Sequence, residues 1–561
     1  MLGDIKQKIH NIQRLNQILW VLVKYGFGYI VDRLHIGEKL IGRKLVRRGP
    51  LKRLDIFDMP ASVRLRKVLE ELGPTFIKLG QILSTRPDLV PLEFSEEFKK
   101  LQDKAPVFEY EKAKKIVEEE LKSPIDELFD EFSVKPIAAA SLSQVHLGKL
   151  KKGEKVIVKV QRPNVERIIK QDIEILYTLA KLAEKYIEES KLYNPVEIVD
   201  EFRKAILKEI DFNTEASNID RFRRNFKGDD TVYIPKVFHN LSTKRVLTIE
   251  KIEGIKVTDV EKIEKSGLDR KKIAINGANA VLKQIFVDGF FHADPHPGNI
   301  FVLDNNRIAF LDFGMVGRID EETKSQFANI LQAVIERDAP TIIESFIDMG
   351  MVEEDMDIKK LELDVADLVD RYYEVPLKEL RMEGLLGEII NVVSQNRIKV
   401  PPNLYLLAKA LITVESIGRE LDPDFDMVTK MSPFVKKLFW HKYNPKLITK
   451  DIQKTILALA DFTKTFPKEI TKVLNKIKKG VLKIEFEHKD LEHLILRIHK
   501  ASNRISFSVI IAALIIGSSI IMQTDKGPLF LDFPVFGIFG FLIAGIMGLW
   551  LAISILRSGK L

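Results

Sequence analysis

Cysteine is absent from the 561 residues of the chain. A disulfide framework, a thiolate metal site and a cysteine nucleophile are therefore all excluded. The sequence does not lack material for a folded core, because 45% of its residues are hydrophobic and 30% are charged. At about 150 residues per domain, the length predicts three or four domains, or one large domain with additions.

The net positive charge of the chain is confined to its N-terminal end. Residues 1–55 contain twelve Lys or Arg and four Asp or Glu, and this excess of eight equals the net charge of +8 of the whole sequence. The rest of the chain therefore sums to zero. A basic excess confined to one end favours local contact with an anionic surface and argues against nucleic acid as a partner.

Charged side chains are also missing from two long runs near the C-terminus. Ile505–Met522 has none across 18 positions, and Phe533–Leu556 has none across 24. About 20 apolar residues span a bilayer core, so both runs predict transmembrane helices, joined by a turn at Gly527-Pro528. The basic residues that flank the pair predict cytoplasmic outer ends, and they are Lys500, Arg504, Arg557 and Lys560.

Small residues four positions apart recur in these two runs and would let the two helices approach closely. They are Ala513–Gly517, Gly540–Ala544 and Ala544–Gly548. The alternative interpretation is a buried helical hairpin inside a soluble core.

The N-terminal segment is amphipathic rather than uniformly apolar. Its apolar side chains recur at helical spacing, at Ile5, Ile9, Ile12, Leu15, Leu19 and Leu22. The run Ile18–Val23 ends at Lys24, which makes it too short to span a bilayer, and it lacks the small-residue cleavage site of a signal peptide. We expect a helix lying in the plane of a membrane surface. The alternative is an ordinary helix packed on its own domain.

Between these ends the hydrophobic period changes from helical to strand-like and back. Helices are predicted over Asp55–Gln81, Val107–Phe132, Asp172–Ala216 and Lys271–Val287, and over most of the chain after Glu321. Strands are predicted within Val134–Val160 (split by a turn at 151–154) and at Val232–Val237, Lys244–Ile249, Ile300–Leu303 and Arg307–Leu311. The pattern predicts an α+β domain with a mostly β front half and a helical back half.

The strongest chemical signal is a pair of segments, residues 292–299 and Leu311–Gly314. Asp294 precedes Asn299 by five residues, and Asp312 opens an Asp-Phe-Gly sequence after the predicted hairpin. Protein kinases use this arrangement: the first Asp orients or deprotonates the attacking hydroxyl, while the Asn and the second Asp hold Mg²⁺. An alternative is a metal site formed by His292, Asp294 and His296, although the prolines between them disfavour a regular strand.

Upstream, Lys159 lies on the apolar strand Val156–Val160, as does the kinase lysine that holds the α- and β-phosphates. Its carboxylate partner is expected on a following helix, with Glu209, Asp211 and Glu215 as candidates. The place of the glycine-rich phosphate loop is taken by an alanine-rich segment, called here the alanine loop, in which glycine is absent until Gly148. Its residues are Ala138, Ala139, Ala140, Ser141, Leu142, Ser143, Gln144, Val145 and His146.

With these motifs the sequence resembles the UbiB family, also called ADCK, of atypical kinase-like proteins, from about Leu54 to Asp426. The family's Lys-x-Gly-Gln signature matches Lys78–Gln81, and its alanine-rich loop matches the alanine loop. Its Glu-x-Asp motif matches Glu209 and Asp211. Its invariant lysine, ion-pair glutamate, catalytic-loop Asp and Asn, and metal Asp match Lys159, Glu215, Asp294, Asn299 and Asp312.

The resemblance implies a bilobal protein-kinase-like fold with a family-specific N-terminal helical extension, followed by a transmembrane helical hairpin. ATP and Mg²⁺ are the implied cofactors, with adenine at a hinge near Glu250–Gly254 that includes Glu250 and Ile252. Lys78 and Gln81 would gate the pocket, with Lys78 paired to the Glu-x-Asp group. Ala293 stands where protein kinases place an Arg, and no Ala-Pro-Glu follows, which argues against phosphorylation of protein partners.

The function implied is that of a membrane-anchored kinase or ATPase that supports isoprenoid-quinone (ubiquinone-type) biosynthesis. Two alternatives are a small-molecule phosphotransferase and a non-catalytic nucleotide-sensing scaffold for a lipid-synthesis complex. Expected partners are anionic membrane lipids, isoprenoid quinone precursors and lipid-biosynthesis proteins; a homodimer is left open. The expected location is the inner (cytoplasmic) membrane, with the kinase-like domain in the cytoplasm.

The expected domain organisation follows from these assignments. It comprises basic membrane-proximal helices (1–54), a helical Lys-x-Gly-Gln extension (55–133), a kinase-like N-lobe (134–255), a helical C-lobe (256–430), an amphipathic linker (431–500) and two transmembrane helices (501–561).

Overall fold

The computed structural model forms two compact units, Met1–Ile448 and Thr449–Leu561, which are described separately. The residues that the structure describes are 2–34, 59–84, 86, 89–101, 105–188, 190, 194–336, 338–352, 356–371, 381–396, 398, 400–442, 491–523, 528–530 and 533–557.

Among its described residues, the first unit opens with the helices Leu2–Lys24, Gly28–Arg33, Ala61–Leu72, Pro74–Leu83 and Leu92–Phe98. The helix expected over Asp55–Gln81 is broken within its described part at Gly73. This glycine has a φ of +93°, which side-chain-bearing residues rarely adopt, and Pro74 then starts the next helix.

The N-terminal helix packs on its own unit, so the expectation of an in-plane membrane helix is wrong for its described side chains. Ile18 and Leu19 are almost fully buried, in clusters that include side chains of the helix Val165–Tyr186. Arg14 forms an ion pair with the fully buried Asp172 at 2.8 Å. Leu15, Leu19 and Leu22 of the apolar stripe are therefore covered by protein, because the long helix beside them supplies a matching apolar surface, whereas Ile12 is exposed.

The front half is an antiparallel sheet. Four strands pair in chain order, Phe129–Phe132, Ser143–Leu150, Lys155–Gln161 and Val246–Glu250, and the short strand Ala138–Ala139 pairs with the second of them. The helix expected over Val107–Phe132 spans only Tyr110–Leu121, with a short turn of helix at Ile125–Leu128. Its predicted end is wrong, since Phe129 is buried in the sheet core against that helix.

Three helices connect the central strands of this sheet to the last one. They are Val165–Tyr186, Pro195–Glu209 and Phe212–Asn225. The helical region predicted over Asp172–Ala216 is therefore confirmed, and one helix ends and the next begins near Pro195. The first two helices pack on each other and on the N-terminal helices through apolar side chains such as Phe202 and Ile206.

The back half is built on the helix Arg270–Leu282, which continues as one π-helical turn over Lys283–Val287. Beside it lie a four-stranded sheet, Val232–Tyr233, Arg307–Phe310, Ile300–Leu303 and Ile255–Lys256, and a strand pair, Phe290–His292 with Val316–Arg318. The predicted hairpin at residues 300–311 is confirmed. The strand predicted over Val232–Val237 is shorter than expected.

Helices complete this half. They are Val260–Lys265, Glu321–Glu336, Ala339–Asp348, Ile358–Arg371, Met382–Gln395, Pro402–Leu421 and Met427–Lys442. Short 3₁₀ turns lie at His239–Leu241, Pro297–Asn299 and Asp304–Asn306. One continuous apolar core joins most of these helices to the strands around the Asp-Phe-Gly segment. The prediction of a helical back half is confirmed.

The described part of the second unit is a helical hairpin, Leu491–Met522 and Val535–Arg557, with two-residue strands at Leu529–Phe530 and Phe533–Pro534. Both helices are long and apolar enough to cross a membrane. The helices meet where a Cβ on Gly540 would overlap Ser518 Oγ, and Ala544 is buried. A Cβ on Gly517 or Gly548 would meet no atom of another element within 4 Å, so among the described residues only the pair Gly540–Ala544 acts as predicted. Most of the predicted linker, residues 443–490, lies outside the described residues.

Candidate active site

Lys159 and Glu215 form the centre of the site. Lys159 lies on the strand Lys155–Gln161, whose alternate residues Val156, Val158 and Val160 are fully buried, so the lysine faces away from that core. Its Nζ donates to both carboxylate oxygens of Glu215 at 3.0 and 2.9 Å. Among the three carboxylates considered from sequence, Glu215 is therefore the partner.

Glu215 is positioned by the start of its helix. The helix Phe212–Asn225 begins after Asp211, whose side chain accepts from the backbone N–H of Asn213 at 3.0 Å. This N-cap places Glu215 in the first helical turn, and burial leaves only 7% of its side chain exposed. Asp211 thus has a structural task beside its place in the Glu-x-Asp motif.

Asp312 meets the same lysine from the back half, with 4.0 Å between Lys159 Nζ and Asp312 Oδ1. Lys159 lowers the pKa of Asp312 to about 2, and the N–H of Gly314, which donates to Oδ1 at 3.0 Å, adds to that shift against the effect of burial. Burial opposes the charged form of Lys159, yet the two carboxylates raise the pKa of its ammonium group above the ordinary 10.5. Lys159 and Asp312 are therefore charged at neutral pH, whereas burial raises the pKa of Glu215 against the opposing effect of Lys159.

An aromatic cluster fixes the Asp-Phe-Gly segment. Phe313 is fully buried and packs against Phe222 and His292, with ring centroids 5.1 and 5.6 Å apart. Its carbonyl oxygen accepts from the side-chain amide of Asn218 at 3.0 Å. The helix that carries Glu215 therefore also holds the backbone that carries Asp312.

The catalytic loop, residues 292–299, is organised by its own histidines. His292 is buried, and its Nδ1 accepts from the backbone N–H of Asp294 at 3.2 Å. His296 Nδ1 accepts from Gly298 N–H at 3.1 Å. Within the described residues no group of three His, Asp or Glu could hold a metal ion. The His292–Asp294–His296 metal site is therefore not formed.

Asn299 and Asp312 are brought together by the hairpin that separates them in sequence. The backbone N–H of Leu311 donates to the carbonyl of Asn299 at 3.0 Å, so Asp312 follows directly beside Asn299. An amide oxygen and an ionised carboxylate are the hard donors that Mg²⁺ prefers. The residues present therefore fit the metal that the sequence pattern predicts.

Asp294 has a partner that the sequence did not reveal. Lys409 Nζ lies 2.9 Å from Asp294 Oδ1, and both side chains are little more than one-third exposed. Lys409 belongs to the long helix Pro402–Leu421. The sequence shows Lys409 as a single lysine within the apolar stretch 404–412. It does not show which residue this lysine contacts.

The alanine loop is held from outside by Arg162. The Arg162 side chain donates to the carbonyl oxygens of Ala140 at 2.8 Å and Pro106 at 2.7 Å, and its backbone N–H donates to that of Leu142 at 2.9 Å. The loop also closes on itself, because the Ala140 N–H donates to the Ser143 carbonyl at 2.8 Å. The loop is therefore a fixed turn in this structure.

Further along, Gln144 and His146 face the sheet interior and are fully buried. They are bonded to each other at 2.8 Å, and the Gln144 Oε1 accepts from the Phe108 N–H at 3.2 Å. Gln144 and His146 belong to the alanine loop that was predicted to bind the nucleotide. In the structure their side chains support that loop from the sheet interior.

The Lys-x-Gly-Gln motif lies on the helix Pro74–Leu83. Lys78 forms an ion pair with Glu209 at 2.5 Å, as the resemblance implied. Gln81 donates to the Leu101 carbonyl at 3.3 Å. A Cβ on Gly80 would lie 2.7 Å from Leu69 Cδ1, which explains why the smallest residue stands between Leu79 and Gln81.

The hinge candidates follow the last strand of the front sheet. The Glu250 carboxylate accepts from the Tyr233 hydroxyl at 2.8 Å and the Lys236 N–H at 3.1 Å. These bonds occupy the Glu250 side chain, and its backbone N–H donates to the Lys236 carbonyl at 2.9 Å, so the backbone carbonyl oxygen is the group of Glu250 left for an adenine ring. Ile252 follows in a partly buried, irregular segment.

Comparison with known proteins agrees with this geometry. The model of the ABC1 atypical kinase-like domain matches residues 100–346, that of the UbiB helical domain matches 365–426, and that of the ABC1/UbiB kinase-like C-terminal domain matches 489–557. A "Probable protein kinase UbiB" of Marinobacter nauticus is 36% identical over 471 residues, which cover 83% of this chain and 86% of that protein. The chain belongs to the UbiB family.

The chain is also similar to two other proteins. The "Uncharacterized protein in hydrogenase 1 5'region" of Clostridium pasteurianum is 35% identical over 559 residues, 98% of this chain and 100% of that protein. Among solved structures, the Rv3197–erythromycin complex of Mycobacterium tuberculosis aligns at 23% identity and a TM-score of 0.46, covering 66% of this chain and 94% of that one.

The family assignment confirms the predicted kinase-like fold. Within it, Lys159, Glu215, Asp294, Asn299 and Asp312 all fall inside the segment that matches the kinase-like domain. Lys409 lies in the segment that matches the UbiB helical domain.

Proposed function

We propose that this UbiB-family protein is a membrane-anchored atypical kinase or ATPase that binds Mg-ATP and supports isoprenoid-quinone biosynthesis of the ubiquinone type. One observation carries the nucleotide part: Lys159 lies within 3.0 Å of Glu215 and 4.0 Å from Asp312. A lysine held between two carboxylates from opposite halves of the unit suits the binding of a metal-bound triphosphate.

Each residue of the site has a distinct role in this proposal. Lys159, held by Glu215, binds the α- and β-phosphates, while Asn299 and Asp312 hold Mg²⁺. Bound Mg²⁺ supplies positive charge that offsets the charge of the phosphates. Asp294 orients the attacking hydroxyl or water and accepts its proton. The alanine loop covers the phosphates, and the hinge backbone at Glu250 and Ile252 receives adenine.

A small or lipid-borne acceptor fits this chain better than a protein acceptor. Gly314 is followed at once by the strand Val316–Arg318, and the helix Glu321–Glu336 starts shortly after it. This leaves no long activation segment on which a protein substrate could dock. Lys78, paired with Glu209, additionally connects the N-terminal helices to the cleft and would gate access to it.

The membrane part of the proposal depends on the second unit. Its two apolar helices, with basic residues at both outer ends, suit a two-pass anchor in the inner membrane that leaves the kinase-like unit in the cytoplasm. Anionic headgroups and isoprenoid quinone precursors are then the accessible partners, together with lipid-biosynthesis proteins. Water as the acceptor corresponds to an ATPase, and a headgroup corresponds to a lipid kinase.

The test is phosphate release by the purified full-length protein with Mg-ATP, with and without anionic liposomes and isoprenoid headgroup analogues. We expect turnover that these additions stimulate. Asp294→Asn should abolish turnover and retain ATP binding, because the amide keeps the size of the side chain but cannot accept the proton.

The outcome separates the alternatives. Stimulation by soluble small molecules alone would favour a small-molecule phosphotransferase. An Asp294→Asn variant that restores cellular quinone production as well as the wild type would favour a nucleotide-sensing scaffold.

A further inference from the structure

The ion pair between Lys409 and Asp294 joins two parts of the chain that sequence places far apart. Asp294 belongs to the catalytic loop, and Lys409 belongs to the helix Pro402–Leu421 in the segment that matches the UbiB helical domain. Lys409 therefore faces the catalytic loop itself.

The helix that carries Lys409 is fixed by other contacts. Leu407 and Leu411, on either side of Lys409, are fully buried in the main core. Glu415, one turn further on, is buried and accepts from the backbone N–H of Met382 at 2.7 Å. A partly exposed ion pair adds little to such packing. The position of Lys409 is therefore imposed by the fold, and the ion pair is not required to hold the helix.

The distribution of charge in the cleft gives Lys409 a role beside Asp294. The catalytic loop, residues 292–299, contains no Lys or Arg. Two further described lysines of the cleft, Lys78 and Lys159, pair with carboxylates of other elements, Glu209 and Glu215, whereas Lys409 is placed against Asp294. A triphosphate terminus brought beside the Asp294 carboxylate would meet like charge, which Lys409 would offset in addition to the charge that Mg²⁺ supplies.

We propose that Lys409 is a catalytic residue that binds the transferred γ-phosphoryl group of the nucleotide. This inference rests on the proposed function. In the step, Asp294 accepts the proton of the attacking hydroxyl, whose oxygen forms a bond to the γ-phosphorus. The bond between that phosphorus and the β,γ-bridging oxygen breaks, and its electron pair leaves with ADP. Lys409 neutralises the charge on the equatorial oxygens, where it is most needed in the transition state.

The proposal is tested with full-length Lys409→Met, Lys409→Arg and Lys436→Met proteins. Lys436 is an exposed lysine of the helix Met427–Lys442, in the same unit, and serves as the matched control. Calorimetry compares Mg-ADP with Mg-ADP plus aluminium fluoride, a mimic of the phosphoryl group in transfer. Lys409→Met should keep its Mg-ADP affinity within about twofold and lose about tenfold or more in affinity for the aluminium fluoride complex.

Two further results are expected. Lys409→Arg should recover most of the lost affinity, because it restores the positive charge, and Lys436→Met should bind both ligands like the wild type. In phosphate-release assays Lys409→Met should lower kcat with little change in KM for ATP, since the contact forms mainly in the transition state.

The outcomes that overturn the proposal are distinct from those that overturn the proposed function. If Lys409→Met weakens both ligands equally or neither, Lys409 does not contact the transferred group. An unchanged unfolding midpoint verifies that each variant is folded. If the wild type binds neither ligand, the proposed function fails first and this inference fails with it.

Discussion

At the residue scale, the cleft is defined by lysine–carboxylate pairs that reach it from different elements. The three pairs are Lys78–Glu209, Lys159–Glu215 and Lys409–Asp294. Each pair keeps a cation in the cleft at a defined place, because a carboxylate from another element fixes the flexible lysine side chain. Asp312 adds a fourth carboxylate, which we assign to Mg²⁺ together with Asn299. On the proposed function, these pairs would hold the cleft lysines in place for an anionic ligand before it binds.

A buried histidine gives the protein a specific acid sensitivity. His146 is bonded to the Ser133 carbonyl at Nδ1 and to the Gln144 amide nitrogen at Nε2, both at 2.8 Å, an arrangement that suits the neutral ring. Burial lowers the pKa of His146 below its ordinary 6.5. The unfolded chain therefore takes up a proton that the folded chain does not, so stability is lost as the pH falls below about 6.5.

The measurement is the thermal-unfolding midpoint of the detergent-solubilised protein at neutral pH and at about pH 5.5. His146→Gln should lower the midpoint at both pH values and show a smaller further drop in acid than the wild type. His239→Gln, at an exposed histidine paired with Asp220, should keep the wild-type pH dependence. An equal acid-induced drop in all three proteins would show that His146 is not the group responsible.

At the scale of elements, the sequence predicted most helices and strands because their apolar residues repeat locally. The errors come from contacts between distant segments. Phe129–Phe132 follows a helix without a clear break, and it becomes a strand by pairing with Ser143–Leu150. The stripe on Leu2–Lys24 suits a membrane surface or a protein surface equally, and only the packing partner Val165–Tyr186 decides between them.

The site could be predicted from the sequence only where its residues belong to local motifs. Lys159, Asp294, Asn299 and Asp312 stand in motifs whose spacing carries the chemistry, so they were identified from the chain alone. Lys409 stands in no such motif. Its role depends on how the helix Pro402–Leu421 docks on the catalytic loop, which is a tertiary property.

The docking of the N-terminal helix should depend on one buried ion pair. Arg14 bonds to Asp172, donates to the Leu72 carbonyl at 2.8 Å, and lies over the Phe76 ring at 5.6 Å. Arg14→Met would leave the fully buried Asp172 carboxylate without its cation, which should lower the free energy of unfolding by about 3 kcal/mol. Denaturant unfolding and faster hydrogen exchange in residues 2–24 would report the loss.

Lys24→Met is the matched control on the same helix. It removes the more exposed ion pair between Lys24 and Glu71, and we expect a cost below about 1 kcal/mol. If Arg14→Met proved no more destabilising than Lys24→Met, the buried pair would not be what holds this helix in place.

At the scale of the whole molecule, we propose that the chain joins a nucleotide-binding unit to a two-helix membrane anchor. The absence of cysteine makes its membrane topology directly measurable. A cysteine introduced at Pro528, between the two apolar helices, should react with a membrane-impermeant maleimide in intact cells. A cysteine at Lys436, in the kinase-like unit, should react only after the cells are permeabilised. Labelling of both sites, or of neither, in intact cells would contradict the proposed anchor.

Binding of magnesium nucleotide in one cleft underlies every proposal above, and its sharpest test is an equilibrium titration of the purified full-length protein with ATP. We expect saturable binding that requires Mg²⁺ and that weakens about tenfold or more in both Lys159→Met and Asp312→Asn, since each removes one charged contact from the same ligand. Absence of ATP binding to the folded wild type, or binding that neither substitution affects, would contradict it.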